Sequence, residues 1–120
     1  MKKWTFLIFL IPLLGWTQTE TKKEYWENGN LKSEVTYADG QLHGKSTFYF
    51  ESGKLRIEKY YTAGVPDGRD LWYYENGQLG WEEYWKDGKP HGTFTYYNED
   101  GSVRYKKYYE KGELLSSGKS

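Results

Sequence analysis

From Glu24 to Leu115 the chain alternates apolar and polar residues in short runs, and glycine-containing pairs break these runs at a constant interval. Gly29, Gly53, Gly77 and Gly101 lie 24 residues apart, as do Gly40, Gly64, Gly88 and Gly112, and likewise Gly44, Gly68 and Gly92. The apolar positions keep the same period. Leu31, Leu55, Leu79 and Val103 form one column, Tyr25, Tyr49, Tyr73 and Tyr97 a second, and Tyr37, Tyr61, Trp85 and Tyr109 a third. One period held in so many phases marks a repeat architecture, in which each unit buries its apolar surface against its neighbour.

Alternation with period two between glycine turns predicts strands. Asn28-Gly29 and Asn76-Gly77, with Ser52-Gly53 and Asp100-Gly101 in the same place, read as two-residue hairpin loops whose central residues both take positive φ. Asp39-Gly40 and Asp87-Gly88 mark the second turn of the unit. Ala63-Gly64 and Lys111-Gly112 replace them elsewhere, and their composition predicts another turn type or a bulge there. The expected fold is all-β: a single-layer, twisted antiparallel β-meander of about eight strands, built from about four 24-residue hairpin repeats.

These turns also predict the faces. They set Trp26 against Leu31, Tyr25 against Lys32, Phe50 against Leu55, Phe48 against Ile57, Trp72 against Trp81, and Gly44 against Val35. Leu31, Val35, Phe48, Phe50, Ile57, Trp72, Tyr74, Leu79, Trp81, Trp85 and Tyr105 then share one face, expected to pack as the core. The reverse face carries tyrosines among Lys32, Arg56, Glu58, Glu82, Arg104 and Lys106. Tyr49, Tyr73 and Tyr97 form a ladder on it, and Tyr49–Arg56 and Tyr97–Arg104 are expected as cation–ring pairs.

The segment before the repeats has a different character. Lys2 and Lys3 precede an apolar run, Trp4 to Leu14, that ends near Pro12 to Gly15, the layout of a secretory signal. The run is too short for a membrane span, and no cysteine follows it for a lipid anchor. We read residues 1–17 as a signal peptide, 18–23 as a linker, 24–115 as the repeat domain and 116–120 as a polar tail. The protein is expected to be exported, to the periplasm, the envelope or the medium.

Composition narrows the chemistry. Basic and acidic residues balance at 17 each, which argues against nucleic-acid binding by bulk charge. There is no cysteine, while 13 Tyr, 6 Trp and 5 Phe make the chain 20% aromatic. His43 and His91 stand two repeats apart, roughly 19 Å at the usual strand spacing, too far to share a metal ion. Glu27, Glu51, Glu75 and Glu99 form a column before the turns, at spacings within reach of paired-carboxylate chemistry. Their polar neighbours favour a solvated edge. No nucleophile–base order and no phosphate-loop signature is present, so neither catalysis, nor a cofactor, nor a metal site is expected.

Two stretches, Trp85-Lys86-Asp87-Gly88-Lys89-Pro90-His91-Gly92 through Tyr97 and Tyr37-Ala38-Asp39-Gly40-Gln41-Leu42-His43-Gly44 through Phe50, resemble the MORN repeat family. The Glu75-to-Leu79 segment is similar to its bacterial variant branch, whose members are often described as antitoxins of toxin–antitoxin pairs. Ser46, Asp70 and Phe94 stand where the eukaryotic repeat has a second glycine. The resemblance implies a binding module, and the expectation is protein–protein interaction or scaffolding in the cell envelope. An antitoxin or immunity role is the first alternative, and glycan or lipid-surface binding the second. Tyr49, Tyr73, Tyr97, Arg56 and Arg104 are the candidate partner-binding residues; the partner's identity and the oligomeric state stay open.

Overall fold

The computed structural model describes the backbone of residues 4–9 and all of residues 18–119. The fold is one open sheet of antiparallel strands, each paired with its neighbour in sequence. In chain order these are β1 (Trp4–Phe9), β2 (Thr19–Tyr25), β3 (Leu31–Ala38), β4 (Gln41–Tyr49), β5 (Leu55–Thr62), β6 (Val65–Tyr73), β7 (Leu79–Lys86), β8 (Lys89–Pro90), β9 (Gly92–Tyr97), β10 (Val103–Glu110) and β11 (Glu113–Gly118). The short β8 pairs only with β7, just ahead of β9. No helix covers either side among the described residues. The sheet measures 50 × 38 × 17 Å and its radius of gyration is 16.9 Å, against roughly 13.6 Å for a compact domain of this length. A slab this thin has almost no interior. Among the described residues the buried hydrophobic ones are Ala38, Leu71 and Phe94.

The sheet is longer than the expected eight strands because both flanks join it. Residues 18–23, read as a linker, form most of β2, which pairs with β3 from Thr19↔Ala38 to Tyr25↔Leu31. In the tail, Ser116, Ser117 and Gly118 pair with Tyr108, Lys107 and Lys106. Polar composition hid both segments, because a strand near the end of the sheet has less apolar surface to cover and keeps its backbone hydrogen bonds whatever its side chains are. β1 adds a further strand, with Trp4 opposite Glu24 and Phe9 opposite Thr19. Residues 10–17, with the expected cleavage point after Thr17, lie outside the described residues.

The two turn columns differ from expectation in opposite directions. At residues 26–30 the Gly29 N–H donates to the Trp26 carbonyl and the Trp26 N–H to the Asn30 carbonyl; the same two bonds recur at 50–54, 74–78 and 98–102. This is a three-residue loop closed by a bulge, in which glycine alone takes positive φ. Asn28 and Asn76 serve it otherwise: their Oδ1 atoms accept the N–H two residues on, at 2.9 Å. The second column is uniform. Asp39, Ala63, Asp87 and Lys111 all have φ near +50° and precede a positive-φ glycine, so Ala63-Gly64 and Lys111-Gly112 keep the two-residue turn despite their composition.

The bulges shift register locally. Tyr25 lies opposite Leu31 and Tyr49 opposite Leu55, which replaces the Trp26–Leu31, Tyr25–Lys32 and Phe50–Leu55 pairs. Leu31 and Leu79, expected on the face of Trp72 and Trp81, are thereby set opposite Tyr25 and Tyr73 on the reverse face. One residue further the expected register returns, and Phe48↔Ile57 and Trp72↔Trp81 form. A larger irregularity follows the second turns at 39–40 and 63–64: Tyr37 pairs with Leu42, but Val35 pairs with Ser46 and not with Gly44, and Tyr61 pairs with Pro66 but Lys59 with Asp70. Gly44 has φ +80° and nothing within 4 Å of where a Cβ would stand. Backbone conformation, not lack of room, therefore accounts for that glycine.

Gly77 has φ +87°, whereas Gly118 has an ordinary φ and open space around it. We expect Gly77→Val to lose about 1–2 kcal/mol, the cost of a side chain in left-handed backbone, and Gly118→Val to be nearly neutral. Thermal melts of the two variants check this. Equal midpoints refute the turn assignment.

Candidate functional site

Alternation from the Trp72–Trp81 pair defines the two faces. On the first, cross-strand neighbours form a continuous row, Phe48, Ile57, Trp72, Trp81, Tyr96 and Tyr105. Trp72 stacks on Trp81 at 4.7 Å and Tyr96 on Tyr105 at 4.4 Å. Rings stacked across strands occupy each other's faces and leave their edges to solvent. A second row on this face is polar: Ser46, Lys59, Asp70 and Glu83 are successive partners. Lys59 Nζ lies 2.9 Å from Asp70 Oδ2. Glu83 accepts the Tyr96 hydroxyl at 2.7 Å and the Trp85 indole N–H at 3.3 Å. Burial pulls the Lys59 ammonium down, but the hydrogen bond and charge of Asp70 outweigh it and leave the pKa raised. Burial and Glu83 together push the Tyr96 phenol well up. The expectation of an apolar core on this face is therefore corrected. Its rings are only half-buried, and buried residues occur on both faces, Ser46, Asp70 and Phe94 here and Thr47, Leu71 and Thr95 behind.

The reverse face is organised in columns. Glu34, Glu58 and Glu82 recur at the 24-residue period in strands that alternate with Thr47, Leu71 and Thr95. The Tyr60 hydroxyl donates to Glu58 at 2.9 Å and the Tyr84 hydroxyl donates to Glu82. These carboxylates hold both phenols above their ordinary pKa. Tyr49, Tyr73 and Tyr97 line up half-buried next to the turns. The most open rings are others, Tyr84 at 36% and Tyr108 at 44% exposure. They lie in the Tyr60–Tyr84–Tyr108 column, and period-two alternation put them on this face without singling them out.

Arg56 and Arg104 do not meet the tyrosines expected of them. The Arg56 guanidinium lies over Phe50 at 5.4 Å and that of Arg104 over Tyr105 at 5.9 Å. Each follows a turn bulge, where the extra residue rotates the side chain away from the ladder. Lys32 sits over Trp26 in the same way.

His43 and the turn glutamates have structural positions, while His91 is exposed. His43 Nδ1 accepts the Ala63 N–H at 3.4 Å, and Asp67 Oδ1 accepts the Asp87 N–H at the same distance one repeat later. Each of these residues thus caps the next repeat's turn. The Glu51 and Glu99 backbone carbonyls accept side-chain amides from Asn28 and Asn76, while their carboxyl groups stand in solvent. No group of three or more potential metal ligands converges among the described residues.

Because a raised phenol pKa favours the neutral ring, the Tyr60–Glu58 and Tyr84–Glu82 bonds stabilise the fold below the unfolded tyrosine pKa of about 10. That contribution is lost as pH rises through the higher folded values. We expect an ultraviolet titration of the folded protein to show late-ionising tyrosines, and Glu82→Gln to return one of them to the ordinary range. An unchanged titration curve for Glu82→Gln refutes the assignment.

The described residues form an open single-layer sheet of tethered turns with two solvent-facing sides, the architecture of a repeat module. A family model described as MORN repeat variant matches residues 21–39, 42–63, 66–79 and 90–111, well over half the chain, and the protein belongs to that family. MORN repeats are non-enzymatic modules that generally act in protein or membrane interactions. No curated protein matches the chain.

Proposed function

We propose that the protein is an exported module that binds another protein in the cell envelope through its tyrosine face. The observation that carries this reading is the reverse face itself. Its exposed rings, Tyr84 and Tyr108, stand among charged residues on a flat sheet 50 Å long. Tyrosine gives contact area at low entropic cost, and an extended repeat surface suits a protein partner. The Tyr49, Tyr73 and Tyr97 ladder, spaced roughly 9.6 Å per repeat, lies on the same face across the Glu58 and Glu82 row from the open rings, while Arg56 and Arg104 turn away from it over Phe50 and Tyr105. The stacked rings opposite present edges, a poor platform for sugars. The balanced charge lacks the polybasic contribution that supports anionic-membrane contact. A toxin whose active surface is covered by this sheet is one partner that satisfies the reading.

The test is cross-linked capture from envelope extract, comparing wild type with Tyr84→Ala on the same folded background. Loss of a defined protein partner supports the reading; retention on cell-wall material or on vesicles, with no protein captured, replaces it. Export rests on the Lys2-Lys3 start and the short apolar run. The intact mass of the protein from its native host is expected to lack about the first 17 residues. A full-length mass in the soluble fraction removes the export part of the proposal.

A further inference from the structure

We infer that the cleft at the C-terminal end of the sheet is an anion site that takes a soluble oxyanion of the phosphate class. It lies across β9, β10 and β11 with a volume of about 390 Å³, and its walls include Thr93, Lys106, Lys107, Tyr108, Ser116 and Lys119, with no carboxylate among them. Strand pairing places Thr93, Tyr108 and Ser116 in one cross-strand row, and Lys106 beside them opposite Gly118. Gly118 has no side chain to cover the Lys106 ammonium. Hydroxyl and ammonium groups all offer protons, while phosphate oxygens only accept them.

The repeat supplies its own comparison. Position 106 holds lysine, where the other three units hold Glu34, Glu58 and Glu82. Glu58 and Glu82 engage the tyrosine hydroxyl two residues on. Tyr108, next to a lysine instead, is the more open ring at 44% exposure. Ser116 stands where Gly44, Gly68 and Gly92 stand. Without that glycine the bulge shortens, and Ser116 comes opposite Tyr108. The last unit thus departs from the others at adjacent positions, and these departures remove a negative charge and add donors at one place.

Charge points the same way. The chain balances 17 basic against 17 acidic residues, so Lys106 and Lys119 at one cleft with no carboxylate side chain in its lining are a local excess. Among the described residues the ion pairs are Lys23–Glu34 and Lys59–Asp70, and neither draws on these lysines. Lys107 Nζ lies 5.8 Å from the Tyr96 and Tyr105 rings on the opposite face, which leaves direct contact to Lys106 and Lys119. This site shares Tyr108 with the proposed protein-binding face but does not rest on that reading.

The experiment is an amide-resolved NMR titration of the full chain with inorganic phosphate, with ionic strength held constant by chloride. Saturable shifts are expected at Thr93, Tyr108 and Ser116 to Lys119. Lys106→Glu installs the residue that three other units carry, so its thermal midpoint should match wild type. Its phosphate affinity should fall roughly tenfold, as for loss of one charged hydrogen bond. Lys45→Glu, on the same face but outside the cleft, should leave the affinity unchanged. Linear shifts spread over all lysines, or wild-type affinity in Lys106→Glu, overturn the site. Sedimentation with phosphatidylglycerol vesicles without any saturable phosphate shift also overturns it, in favour of a membrane-surface contact.

Discussion

Gly80→Ala is expected to be among the most damaging single-methyl additions in the domain. A Cβ on Gly80 would stand 2.1 Å from Trp72 Cε3 and 2.3 Å from Cζ3, with Tyr74 Cε2 at 3.2 Å. Those rings have nowhere easy to go, because Trp72 is held edge-on by Tyr74 at 4.6 Å and stacked on Trp81 at 4.7 Å. Overpacking of this kind costs about 1–3 kcal/mol, which in a domain of this size lowers the thermal midpoint by roughly 5–10 °C. The repeat explains why glycine occurs here. Lys32, Arg56 and Arg104 hold the equivalent position in the other units, and there the side chain turns outward over a ring. Only the third unit has Trp72, whose larger ring fills that space; the second has Phe48. We therefore expect Trp72→Phe to recover part of the loss in Gly80→Ala, a coupling that a double-mutant cycle measures. Additive effects of the two substitutions contradict the packing account.

Trp81→Ala and Tyr73→Ala should separate folding from binding. Trp81 stacks on Trp72 and lies opposite Tyr96, at the middle of the aromatic row. Because the row is half-exposed, its removal should cost about 2–3 kcal/mol, less than for a fully buried tryptophan. Tyr73 stands on the reverse face, in the ladder beside the open rings. Its removal should leave the protein folded and weaken capture of the protein partner. Chemical denaturation of both variants, followed by the cross-linking assay, decides the matter. Stability lost first in Tyr73→Ala, with capture lost in a folded Trp81→Ala, means that the faces are exchanged. Tyr73 is half-buried beside Leu79 and also packs locally, so a small stability loss accompanies the loss of capture.

Much of the architecture was legible in the chain because a period of 24 leaves few ways to fold. Every unit must place its glycines, its leucines and its tyrosines identically, so the Trp72–Trp81 and Phe48–Ile57 pairs followed from turn position alone. The period said nothing about turn type. Asn28-Gly29 reads as a two-residue loop and forms a three-residue one, because a local bulge satisfies the same backbone bonds and restores the register one residue later. The uniform second turns are the converse. Ala63 and Lys111 accept positive φ because strands on both sides impose it.

What the sequence alone determined is the repeat, the single antiparallel layer and the side of the sheet on which strand residues away from the turn bulges fall. These depend on backbone periodicity, which neighbouring residues cannot alter. The tertiary structure decided which groups meet. It turned Arg56 and Arg104 away from Tyr49 and Tyr97, because bulges rotate side chains that strict alternation would align. It set Asp70 beside Lys59, left Tyr84 and Tyr108 as the open rings, and drew the polar flanks into β2 and β11. Contacts of this kind depend on cross-strand distances of a few ångströms, and a one-dimensional pattern carries no record of them.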